Sequence, residues 1–448
     1  MKKTSFVKKA LSLSVVSVFV SSLVACGTPN ASTDLNVDQI NASSNRAANA
    51  KKWTIFVDVA ADNNLYPFGL KDMSEMAYGL NSPDVNVVVL FDGAKTGDSA
   101  VYEIQHSAVK PAMNAPITSK KIANTGLIPA SNEIDSGDPK ILANFLDWGT
   151  KNYPADHYGV ILWNHGSGIF RGKELLKPKN AKTTPLIHET GFLWDDHGGN
   201  MDIRDLGPIL APAIKNTGKK AEFVDFDACL MSHVEAAYQL KDLSNFLVAS
   251  EKTEAGDGND YLGIMQAVSA NPNMTGSQFS AMMVDSYAKS YLPGGNQYTG
   301  RTEEYTLAAT DTAQVAGGLT TAINALATEL TKNPSSAKKA WQAATTYDGD
   351  AEPRDLGHFL TLLASDSGVS AAAKTLANNA NVELKKAVIR ETHTGKKTNA
   401  LIDSTGLVIY LPGPGDSINP KYLSTAEIAF SANQPWIDFL KAFTKTAR

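Results

Sequence analysis

From residue 51 onward the chain alternates short, nearly continuous apolar runs with stretches in which apolar residues recur every three or four positions. Trp53 to Val59, Val85 to Phe91, Tyr158 to Trp163 and Ala221 to Phe226 carry apolar residues at both parities, as strands covered on both faces do. Between them lie helical patterns: Leu65 to Leu80, a stretch through Ile141, Phe145 and Trp148, one running from Asp202 or Asp205 towards Lys215, and Leu230 to Leu240. Asp138-Pro139 opens the second of these with a capping side chain and a residue suited to the first helical position. Strands alternating with helices predict a three-layer α/β/α sandwich with a mostly parallel sheet. After about residue 270 the pattern turns helical, over 277–291, 312–332, 336–346 and 370–390. Two strand-like runs, Tyr305 to Thr310 and Leu407 to Leu411, interrupt it. The expected division is an α/β domain over 51–270 and a mainly helical C-terminal subdomain over 271–448 that completes the fold.

Composition sharpens this reading. With 448 residues, 43% of them hydrophobic, the chain can bury a sizeable core, and only the region before residue 51 is polar and unpatterned. The 41 basic and 46 acidic side chains give a net charge of -5 without a dense Lys/Arg tract, which argues against a nucleic-acid partner. Met1-Lys2-Lys3, the apolar run Ala10 to Val24 and the small residues before Cys26 read as an export signal over 1–26. Leu23-Val24-Ala25-Cys26 resembles the lipobox of bacterial lipoproteins. The resemblance implies lipidation at Cys26 and a membrane anchor facing outside the cytoplasm, at the cell surface or in the periplasm. Residues 27–50, rich in Asn, Ser, Ala and Thr, then form a flexible tether.

Two cysteines exclude a disulfide scaffold and a Cys-based zinc site. With Cys26 lipidated, Cys229 is the one remaining thiol, either inert in the core or kept for chemistry. Ligands in open parallel sheets bind at the carboxyl ends of strands, and two such ends carry reactive side chains. One strand runs into Asn164-His165-Gly166-Ser167-Gly168 and another into Asp227-Ala228-Cys229-Leu230-Met231. Neighbouring strands would bring His165 and Cys229 together as base and nucleophile. A helix starting at Cys229 would favour its thiolate, His165 would protonate a leaving amine, and the amides of Gly166 and Cys229 would hold an oxyanion. Nothing in the sequence identifies a residue that orients His165.

Taken together, Asn-His-Gly-Ser-Gly, Asp-Ala-Cys-Leu-Met and Val-Ala-Ser-Glu-Lys-Thr-Glu at 248–254 resemble the clostripain family of cysteine peptidases, in the caspase-like clan. Trp53 to Leu65 with Ala-Asp-Asn-Asn-Leu, Phe192 to Gly198, and Gly406 to Pro412 extend the similarity over roughly residues 51–445. The resemblance implies a caspase-like sheet and a cysteine endopeptidase with a His165 and Cys229 dyad. It also implies protein or peptide substrates cut after Arg or Lys through a thioester acyl-enzyme, with Asp227 in the P1 pocket. A carboxylate there suits a basic side chain through charge-assisted hydrogen bonds, though it would equally serve a helix N-terminus. Relatives cut themselves between the His and Cys blocks. Here that connection holds Arg171, Lys173, Lys177, Lys179 and Lys182, with Lys179 singled out. The chain departs from the family pattern at Ala255-Gly256-Asp257-Gly258-Asn259 and at Ile169.

The remaining candidates take plainer readings. His157 and His233 are structural, lying before one strand and beyond Cys229. Asp195-Asp196-His197-Gly198 is a turn or strand end, since adjacent strand residues point to opposite faces. Calcium enters only through the resemblance; Asp257-Gly258-Asn259-Asp260 lacks EF-hand spacing, and no metal is assigned. A serine hydrolase, nucleotide enzyme or metalloprotease finds no motif here. Two other functions stay open: a binding or adhesive lipoprotein on a degenerate peptidase scaffold, and a peptidase of different P1 preference.

Overall fold

Strand β1 (Lys51–Ala61) runs through the interior of the molecule with parallel neighbours on both sides, β2 (Val85–Gly93) and β5 (Ala155–Trp163). The computed structural model describes residues 50–169, 191–301, 303–350, 352–394 and 400–447. Cys26, the tether before Ala50 and Lys179 lie outside the described residues. Beyond β5 the parallel part continues through β6 (Ala221–Asp227) and β7 (Ser244–Ala249). Antiparallel strands finish both sides: β3 (Ala100–Glu103) and β4 (Lys120–Lys121) beside β2, then β8 (Thr306–Asp311) and β10 (Val388–His393) beside β7. Among the described residues this makes one nine-stranded sheet, to which the C-terminal half contributes two strands.

Alternation along each strand sorts the core into two layers. Phe56, Val88, Leu90, Val160, Leu162, Val224 and Phe226 meet helices α2 (Pro139–Asn152) and α3 (Leu206–Thr217). The opposite parity, with Trp53, Ile55, Val57, Val89, Ile161, Trp163 and Phe223, packs on α1 (Tyr66–Gly79), α5 (Tyr261–Ala270) and α6 (Gly276–Ser290). Covered strands and flanking helices are thus the α/β/α arrangement that the apolar runs predict. Caps fall where expected: Asp138 accepts from Lys140 N at 3.0 Å, and Asp202 and Asp205 share one capping box at the entry to α3.

The C-terminal half is stitched to the sheet by buried carboxylates. Glu235 accepts from Tyr410 N (3.0 Å) and Tyr422 OH (2.7 Å), and Glu251 accepts from Gly406 N (2.9 Å). Asp355 caps the helix Leu356–Ser365 and also holds Thr405 and Tyr347.

One expected helix is displaced. The Leu230 to Leu240 pattern yields only α4 (Val234–Gln239), because Leu230 adopts φ +65°, a left-handed turn that helical propagation excludes. The helical pattern over 370–390 likewise ends at Ala387 and crosses into β10. Strand β10 pairs at the sheet edge, and its exposed face hides it from apolar patterning.

Asp58 sits in the middle of β1, buried, with neither carboxylate oxygen hydrogen-bonded. Burial first, and Asp92 second, push its pKa well above the ordinary aspartate value. The folded chain therefore keeps a proton that the unfolded chain releases above that ordinary value, so this group's contribution to stability declines as pH rises towards the folded pKa. Asp58→Asn is expected to raise the melting temperature at pH 8 more than at pH 5. Equal shifts at both pH values, read by calorimetry, would contradict a proton held at this site.

Candidate active site

Chain order here is β1, β2, then back past β1 to β5, so adjacent loops diverge at the carboxyl ends of β1 and β5 and leave a crevice. Strands β5 and β6 pair in parallel with Trp163 opposite Asp227, and Asn164 N donates to Asp227 O at 3.2 Å. His165 and Cys229 each follow two residues after that rung. Both line one cleft of about 210 Å³. Their backbones nearly touch: a Cβ added to Gly166 would lie 2.4 Å from Cys229 O and 3.0 Å from Cys229 N. Only glycine allows that approach.

Cys229 is half-buried and in no disulfide, not sealed in the core. Its turn is held by Leu230 N donating to Lys252 O (3.1 Å) and Ser232 N to Ser250 O (2.9 Å), with Leu230 strained at φ +65° between them. The expectation that a helix begins at Cys229 is not met, since α4 starts at Val234, so no helix dipole acts on the thiol. A different donor is present. The backbone N–H of Glu254 points at Cys229 Sγ from 3.4 Å.

His165 is held on two sides. Its ring stacks on Trp194, with centroids 5.3 Å apart at 29°, and its Nε2 meets Asn64 Oδ1 at 2.8 Å. The Asn164 side chain braces the strand end by donating to Ala60 O (2.6 Å) and Trp194 O (2.7 Å). Sequence reasoning assigned no role to Asn64, Asn164 or Trp194, although all three lie inside the quoted blocks.

Beside the thiol, the cleft is acidic. Asp227 is 4% exposed and accepts from Asn259 N (3.1 Å) and Tyr261 OH (2.8 Å). Asp72, which accepts from Trp163 Nε1 at 2.8 Å, and Glu254 line the same space, and Asp225 lies below, bonded to Asn259 Nδ2 at 2.7 Å. Burial raises the pKa of all four above the ordinary carboxylate range. Asp227 is restrained by three donors, Glu254 among them, whereas Glu254 is pushed further up by the Asp227 charge. Of the two, Asp227 therefore ionises first. At the rim, Asp257 pairs with Lys71 at 3.0 Å. The departure at 255–258 does line the cleft, while Ile169 is buried in the core away from it.

The other candidates sit elsewhere. His157 stacks on Trp53 and meets Glu222 at 2.7 Å near the start of β5, and His233 is buried 3.6 Å from Glu235. In the Asp195 segment, the structure corrects the opposite-face argument. Asp195 and His197 stand in a turn and bring ligand atoms, with Asp62, within 4.8 Å of one another. These groups are spent on each other: His197 Nδ1 meets Asp62 Oδ2 at 2.6 Å, and Asp195 accepts from His197 N and Ser136 N. Two carboxylates and an imidazole fit calcium poorly, because that ion takes six to eight oxygen ligands. In the 257–260 segment Asp260 caps α5 and Asn259 binds Asp225.

A half-buried thiol and an imidazole at adjoining strand ends, above a buried carboxylate, define a site of the cysteine-peptidase class. The model of the clostripain family matches residues 57–443, and the chain belongs to that family. Clostripain from Hathewaya histolytica is 29% identical over 256 residues, 52% of this chain and 45% of that protein, so the match spans less than half of the relative. A secreted C11 cysteine protease from Bacteroides thetaiotaomicron, solved with an irreversible peptide inhibitor, superposes with TM-score 0.62 at 20% identity over 86% of this chain and 99% of that one. An inactive zymogen C11 protease from Parabacteroides distasonis gives 0.55 at 15% identity, over 88% and 99%. These likenesses establish the expected caspase-like α/β fold.

Gly166→Ala should force the Cys229 turn away from β5. Alkylation of the thiol by iodoacetamide is expected to change at least about tenfold while far-UV circular dichroism stays the same, since one misplaced contact of this size displaces reacting groups by about 1 Å. An unchanged alkylation rate would show that the close approach carries no constraint.

Proposed function

We propose that the protein is a cysteine endopeptidase that cleaves after Arg or Lys, with Cys229 as nucleophile and His165 as general base and acid. The observation that carries this reading is the β5–β6 register, with His165 and Cys229 two residues past one rung over the Asp227 floor. His165 takes the thiol proton as sulfur attacks the scissile carbonyl. The oxyanion is received by the amides of Gly166 and Cys229, whose backbones lie in contact. His165 then protonates the leaving amine, and water releases the carboxylate product from the thioester.

The acidic pocket supports the P1 assignment. An Arg or Lys side chain entering it finds Asp227 already oriented by Tyr261 and Asn259. Because burial raises the pKa of Asp227, a cation that enters displaces a proton. Binding of basic substrates therefore tightens as pH rises through that raised value, whereas binding of an uncharged P1 analogue does not.

Anchoring through a lipid on Cys26, and self-cleavage between the His and Cys blocks with Lys179 as the favoured bond, complete the proposal. Both rest on the sequence. Among the described residues no helix is long and apolar enough to cross a membrane.

The decisive measurement is hydrolysis of Arg, Lys and Gln peptides by wild type, Cys229→Ala and Asp227→Asn. Arg and Lys peptides should be cut by wild type and left intact by Cys229→Ala. Asp227→Asn should lose about 100-fold in kcat/KM on Arg, matching the roughly 3 kcal/mol that loss of one partner costs a buried ion pair. Cleavage of Arg peptides by Cys229→Ala as fast as by wild type would end the dyad reading. An Asp227→Asn variant of unaltered preference would end the P1 assignment alone. Mass spectrometry of the incubated protein tests nicking after Lys179.

A further inference from the structure

We propose that Asn64 is the positioning residue of the catalytic imidazole: its side-chain oxygen accepts from Nε2–H of His165 and so holds the ring in the tautomer whose Nδ1 is basic. This rests on the reading of His165 and Cys229 as base and nucleophile.

A base that takes a proton from sulfur must present one bare nitrogen in a fixed direction. A neutral imidazole has one N–H and one lone pair, so a partner that binds one nitrogen decides the other. Asn64 Oδ1 stands 2.8 Å from Nε2. An asparagine oxygen can only accept, so Nε2 carries the hydrogen and Nδ1 is left with the lone pair. Stacking on Trp194 sets the plane of the ring, and the Asn64 contact sets its rotation within that plane. Two side-chain torsions need two constraints, and these two supply them.

The loop that carries Asn64 is itself fixed, which an incidental surface contact does not require. Asn63 Nδ2 donates to Ala60 O (3.1 Å) and to Trp194 O (2.9 Å), and Asn63 Oδ1 accepts from Leu65 N (2.9 Å). Asp62 O accepts from Asp196 N at 2.9 Å. The same backbone oxygen of Trp194 receives Asn164 Nδ2, so the loop after β1, the loop bearing Trp194 and the end of β5 meet at one atom. The amide orients the ring without adding charge to a cleft already lined by Asp72, Asp227, Glu254 and Asp257, with Lys71 paired to Asp257 at its edge. Asn64 is exposed, so its truncation leaves the core intact.

The test compares wild type with Asn64→Leu, which keeps the shape and removes the acceptor, and Asn64→Asp, which keeps an acceptor and adds charge. The readouts are kcat and KM on an Arg peptide amide and the pH profile of kcat/KM, with Cys229→Ala and His165→Ala as controls. Asn64→Leu is expected to lose about 10- to 100-fold in kcat with KM within about twofold, the size seen when the hydrogen-bond partner that orients a metal-bound histidine is removed. Asn64→Asp should regain most of that rate and move the acidic limb of the profile to higher pH, because a carboxylate beside the ring favours its imidazolium and the ring must be neutral to take the thiol proton. Wild-type kcat and an unmoved profile in both variants would overturn the role of Asn64 while leaving the dyad standing. Activity that survives in Cys229→Ala would instead remove the dyad, and this proposal with it.

Discussion

The parallel pairing of β5 with β6 is the constraint on which the site depends. Trp163 and Asp227 occupy one rung, and a strand advances only about 3.3 Å per residue, so two groups placed two residues beyond that rung emerge side by side. Trp163 and Asp227 end their strands on one face of the sheet, and the turns that follow bring His165 and Cys229 to the same cleft. Gly166 allows the two strand ends to approach without a side chain between them.

Holding acids in a dry cleft is unfavourable, and the fold offsets it with donors rather than cations. Tyr261, Asn259 and the Trp163 indole each donate to a buried carboxylate, and burial with the Asp227 charge raises the pKa of Glu254. The arrangement leaves oriented carboxyl groups that can ionise when a charged partner enters. Elsewhere the same device binds the two halves of the chain: Glu235 and Glu251, from the segments after β6 and β7, receive amides and hydroxyls from 406–422. The residues after 270 are thus part of the same sheet and the same polar core, which is why the helical C-terminal region does not stand apart from it.

Two leucines beside the candidate site hold strained backbone. Leu230 beside the thiol and Leu193 beside the stacking Trp194 both take left-handed backbone conformations that a leucine disfavours. Each is buried in apolar surroundings, so packing compensates for the torsional penalty. The Leu230 turn also explains why helical periodicity misled: apolar spacing over 230–240 reports a buried face, and it does not report where the backbone starts to coil.

The sequence by itself determined the layered α/β architecture, the strand ends that carry chemistry, and the residue types found there, because apolar runs, caps and short motifs are local properties. His165, Cys229 and Asp227 stood out as candidates for that reason. The orienting partner of His165 was not, nor was the donor to the sulfur, nor the grouping of Asp62 with Asp195 and His197. Asn64 is one of many asparagines, and Glu254 acts on the sulfur through its backbone. Each of these pairings joins atoms from distant segments, and only the register of the assembled sheet and the paths of its loops decide which distant atoms come within hydrogen-bonding reach.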